Sequence, residues 1–60
     1  MTVTVYEDGK NGLVLKSDHK EFKKMFGKVY STKRDLFEKM EAISEFVNNT
    51  IGEEVLFETV

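Results

Sequence analysis

The 60-residue chain contains no cysteine, no proline and no tryptophan, and its single histidine is His19. Without cysteine, no disulfide can brace the domain. With one histidine and no thiolate, a closed structural zinc site has too few ligands. The longest apolar runs, Leu13-Val14-Leu15 and Val55-Leu56-Phe57, are three residues each, against the ~20 needed to span a bilayer as a helix. The first residues lack the basic-then-apolar form of a secretory signal, so no membrane partner is expected and the location expected is cytoplasmic. The absence of proline leaves no obvious linker, and one domain covering residues 1–60 is expected.

A core of this size contributes roughly 3–5 kcal/mol on its own, and small domains usually add a staple. Disulfide and zinc being excluded, self-association remains, so a homodimer is expected, with a well-packed monomer as the alternative. The hydrophobic share of 40% and charged share of 33% fit a globular domain rather than a disordered chain. Eight lysines stand against one arginine, a coding bias that fits a small bacterial or phage accessory protein.

The net charge of −2 conceals a division. Between Lys16 and Arg34, seven basic residues face Asp18 and Glu21, giving +5; residues 35–60 carry −6. Three readings compete: a solvated surface with weak exposed pairs, electrostatic steering of a protein partner or of self-association, and nucleic-acid binding. With a single arginine, base-edge readout is poorly served, and contact with the phosphate backbone suits the lysines better.

Local pattern predicts the elements. Thr2-Val3-Thr4-Val5-Tyr6 alternates β-branched residues and reads as a strand with Val3 and Val5 on the core face. Asp8 to Gly12 holds Asp-Gly and Asn-Gly pairs and reads as a turn, leading into a second strand, Leu13 to Lys16, at the sheet edge. Phe22, Met25, Phe26, Val29 and Tyr30 then share one helical face. Asp18 is the expected cap, with Glu21 as reciprocal partner. Gly27 places the helix end near Phe26, so that Val29 and Tyr30 enter the core from a connector. Ser31 or Thr32 starts a second helix, with Asp35 in its first turn. Its stripe is Leu36, Met40, Ile43, Val47 and Thr50, flanked by Phe37 and Phe46, and Gly52 closes it. Glu54 to Val60 reads as a last strand next to the first. Its apolar residues on both faces suit an interior strand or one covered by a partner. The expectation is α+β: a three-stranded sheet in ββααβ order with two amphipathic helices on one face.

No stretch carries a catalytic, metal or cofactor signature. Gly9 and Gly12 precede a strand, whereas a phosphate loop precedes a helix and ends in Gly-Lys-Ser/Thr. His19 reads as a surface residue of a lysine-rich first turn. The expectation is therefore a non-enzymatic protein-interaction module, a homodimeric regulator or inhibitor of another macromolecule, without cofactor. Phe37, Met40, Phe46 and Val47 are the candidate apolar contacts. Lys20, Lys23, Lys24, Lys28 and Arg34 are the candidate basic ones. Two alternatives stand beside it: a nucleic-acid-binding accessory protein using a basic helix over 18–34, and an oligomer holding a small anion at a subunit interface.

Overall fold

The computed structural model describes residues 1–9 and 12–60. Along the chain run β1 (Thr2–Glu7), β2 (Leu13–Lys16), α1 (Lys20–Met25), β3 (Val29–Ser31), α2 (Leu36–Ile51) and β4 (Leu56–Thr59). The class is α+β, but the sheet is mixed and has four strands, ordered β3-β2-β1-β4. β1 and β2 pair antiparallel with Val5 opposite Leu15. β1 and β4, first and last, are neighbours and parallel, with Val3 opposite Phe57. Lys10 and Asn11, and with them the tip of the expected Asp8–Gly12 turn, lie outside the described residues.

The third strand corrects the reading of the basic segment. Gly27 adopts φ +68, and its N–H reaches the Lys23 carbonyl at 3.1 Å. This left-handed residue stops α1 after six residues. The backbone of β2 needs partners on its second side, and the strand-favouring Val29 and Tyr30 supply them, with Leu15 opposite Val29. β2 is therefore interior, and 18–34 is a short helix followed by a strand rather than one basic helix.

Caps differ from expectation as well. His19, not Asp18, caps α1: its Nδ1 accepts the Glu21 N–H at 3.2 Å. The other ring nitrogen, Nε2, lies 3.2 Å from Glu53 Oε2. Ser17 joins the same corner, donating to the Thr2 carbonyl at 2.6 Å and accepting from His19 N–H at 3.1 Å. Thr32 Oγ1 accepts the Asp35 N–H at 3.1 Å in the turn before α2, so the helix starts at Leu36, later than Ser31 or Thr32. Gly52, at φ +70, ends it with its N–H on the Asn48 carbonyl at 3.0 Å.

Val3, Val5, Leu13 and Leu15 from the sheet meet Phe22 from α1 and Ile43 and Val47 from α2 in one core. Both helices thus cover the same sheet face. On the other face Val14 is only 1% exposed, because its cross-strand neighbours Tyr6 and Tyr30 stand on either side of it. Lys16 Nζ lies 5.4 Å from the centre of the Tyr6 ring. Among the described residues no helix is long and apolar enough to cross a membrane.

Candidate functional site

α2 carries two stripes. Leu36, Met40, Ile43 and Val47 face the core; Phe37, Glu41, Ser44 and Asn48, spaced i, i+4, i+7 and i+11, form a second stripe beside it. With Met40 and Phe57 of β4, the Phe37 end of that stripe lines a cleft of ≈ 240 Å³. A neighbouring cleft of ≈ 460 Å³ lies between Glu41, Glu45 and Asn49 on α2 and Glu53, Glu54 and Val55 ahead of β4. The two share Glu41 and Ser44, so they are one groove along the α2–β4 flank. It is apolar at the Phe37 end and acidic at the Gly52 end.

β4 is the outer strand of this flank. The Leu56 N–H reaches the Met1 carbonyl at 2.8 Å and the Val60 N–H reaches the Val5 carbonyl at 3.0 Å. Backbone groups alternate along a parallel strand, so Phe57 and Thr59 turn their N–H and C=O outward, where no described strand lies. Apolar surface borders this edge on both faces: Phe37 is 75% exposed on the helix side and Leu56 is 66% exposed on the open side. A free strand edge with apolar flanks is the kind of surface that accepts another strand.

The charges around the edge are negative. Glu53 is engaged by His19 at 3.2 Å and by the Met1 amino group at 3.6 Å. Glu41, Glu45, Glu54 and Glu58 have no cationic group within 4.0 Å among the described residues. Glu41 and Glu54 line the groove, while Glu58 sits with Leu56 on the open sheet face by strand alternation.

The four apolar candidates do not share a surface. Phe37 rims the groove and Met40 lines it, half-buried. Phe46 lies toward α1, its ring centre 5.4 Å from that of Phe26 in an edge-on pair. Val47 is fully buried and belongs to the core, so it has no surface to offer a partner. The basic candidates scatter too. Lys23 and Lys28 join Lys16 around a cleft of ≈ 330 Å³ that also takes in Asp18. Lys20, Lys24 and Arg34 are exposed and do not line it. Lys33 pairs with Glu7 at 3.3 Å. Among the described residues, no three His, Cys, Asp or Glu side chains are grouped to hold a metal ion.

Sequence reasoning missed Glu41, Ser44, Leu56 and Phe57 as members of one surface. The signal available was the doubly apolar Val55-Leu56-Phe57 segment, and the i+4, i+7 continuation from Phe37 was hidden by its change from apolar to polar. No family model, curated protein or solved structure matches the chain.

Proposed function

We propose that this chain is a non-enzymatic interaction module that regulates or inhibits a protein partner by docking on it through the α2–β4 flank. The observation that carries the reading is the open edge of β4, where outward backbone groups at Phe57 and Thr59 lie between the exposed side chains of Phe37 and Leu56. Leaving such apolar surface in water is unfavourable by about 25 cal/mol per Å², and covering it is the gain a partner provides. A catalytic role has less support: the only imidazole, His19, is committed on both nitrogens, to a helix cap and to Glu53.

Site-specific photo-cross-linking tests this in the cells that normally make the protein. A photoreactive residue at position 37 or 56 is expected to capture the same discrete protein, and one at position 24 to capture none. Adducts from position 24 alone would reject the reading.

The cleft ringed by Lys16, Lys23 and Lys28 favours a second reading, in which the chain contacts nucleic-acid phosphates or a small anion. It predicts binding of single strands that weakens steeply with salt. Absence of any anisotropy change with labelled DNA and RNA at low salt would discard its nucleic-acid form, and absence of any shift of the Lys23 and Lys28 amide resonances with inorganic phosphate would discard the small anion.

A further inference from the structure

We infer that the strand received by β4 has the pattern basic–apolar–apolar–basic, and that it comes from a different protein. The inference rests on the docking reading above and specifies its partner. A strand added at β4 takes its register from the outward N–H and C=O of Phe57 and Thr59, and its side chains alternate between the two sheet faces.

Four consecutive positions follow from this geometry. Beside Val55, on the helix side, the incoming residue meets the acidic cleft of Glu41, Glu45 and Glu54, where a lysine or arginine finds carboxylates that have no cationic partner among the described residues. Beside Leu56, on the open face, it meets an exposed aliphatic side chain. Beside Phe57, again on the helix side, it enters the apolar cleft with Phe37 and Met40. Beside Glu58, on the open face, it meets a carboxylate without a cationic partner among the described residues. The pattern reads the same in both directions, so it holds for parallel and antiparallel addition.

The same charges discriminate against a second copy of this chain. In the two-fold register that sets Phe57 opposite Thr59, the two Glu58 side chains stand directly opposite and repel; in the register that sets Phe57 opposite Phe57, each Glu58 faces a Leu56 and finds no cation. The chain's own basic edge strand offers Lys28-Val29-Tyr30-Ser31, with a buried serine where the second cation is required. Head-to-tail joining through that strand also fails to close into a symmetric oligomer unless the rotation happens to complete a ring.

The test uses the full chain and three end-capped hexapeptides: Thr-Lys-Val-Val-Lys-Thr, its glutamate counterpart Thr-Glu-Val-Val-Glu-Thr, and the reordered Thr-Val-Lys-Lys-Val-Thr. Amide resonances and hydrogen exchange of Phe57 and Thr59 are followed by NMR. The first peptide is expected to bind about tenfold or more tighter than the other two and to slow exchange at both amides. The double variant Glu41→Lys/Glu58→Lys, changed only at exposed positions, is expected to transfer the preference to the glutamate peptide. Equal binding of all three at these amides would overturn the pattern and leave the docking reading standing. Protection that grows with protein concentration alone would make the occupant a second copy, overturning the inference but not docking at the flank. If no peptide moves these amides while positions 37 and 56 still cross-link to a protein, strand addition is wrong and docking survives. If neither occurs, both fall.

Discussion

β3 and β4 both border the sheet, yet they guard their open backbones differently. β3 offers only three residues, and Lys28, Lys33 and Arg34 crowd its ends. Brevity and lysine are two of the ordinary devices that keep an edge from pairing. β4 is longer, apolar on both faces and flanked by glutamates, with a groove under it. Glutamate also repels, but only strands of like charge. On the proposed docking, one edge is closed to most partners and the other is closed selectively. The contrast shows how a chain with net charge −2 can still treat its two borders as different surfaces.

The contrast breaks most severely if the core beneath it fails. Phe22 is fully buried, and Phe22→Ala is expected to cost about 3–5 kcal/mol. That matches the whole margin expected for so small a core, so circular dichroism should find the variant largely unfolded at 25 °C. Phe37→Ala, on the groove rim, should stay within about 0.5 kcal/mol of the parent in urea while losing cross-linking at the flank. A proline pair sharpens the edge itself. By alternation from Leu56 and Val60, the Glu58 N–H points toward β1 and the Thr59 N–H points out. Glu58→Pro should cost on the order of 2–3 kcal/mol, and Thr59→Pro under about 1 kcal/mol while abolishing strand addition. Equal losses from the two prolines would mean that the hydrogen-bond alternation assigned to β4 is wrong.

Two smaller effects bear on what holds the edges in place. His19→Ala removes the α1 cap and the tie to Glu53 and should cost about 1 kcal/mol in urea denaturation, with His19→Asn recovering most of it through its own capping oxygen. On the β3 side, Lys33→Ala breaks a pair with Glu7 whose side chains are 72% and 71% exposed, and the change should remain within about 0.5 kcal/mol.

Elements with a strong local period were readable from residues alone. Val3 and Val5 alternate, Leu36 to Val47 step as a helix, and Gly52 marks an end; each of these is a short-range signal. β3 was not readable, because Val29 and Tyr30 also continue the helical face of Phe22 and Phe26. What decides their state is the second side of β2, a contact the local pattern does not contain. His19 as a cap was hidden for a related reason: Asp18 is the better capping residue by type, but Ser17 Oγ accepts the His19 backbone N–H and Glu53 lies against the ring at Nε2, which together set His19 in the capping position instead. The proposed docking flank needed the sheet order. Only with β4 outermost do Leu56 and Phe57 become the two sides of an edge, and only then does the stripe from Phe37 to Asn48 overlook anything. Val47, placed among the contact residues by its helical stripe, shows the converse limit, since a stripe alone does not say how far around the helix the core extends.

The chain's aromatic rings are sorted by layer. Both tyrosines stand on the open sheet face astride Val14, while Phe22, Phe26, Phe37, Phe46 and Phe57 all belong to the helical side. With no tryptophan present, ultraviolet emission excited near 275 nm comes almost wholly from Tyr6 and Tyr30. The protein thus carries a one-sided optical reporter: a ligand lying across the open face changes its brightness, whereas one seated in the α2–β4 groove leaves it nearly dark to the change.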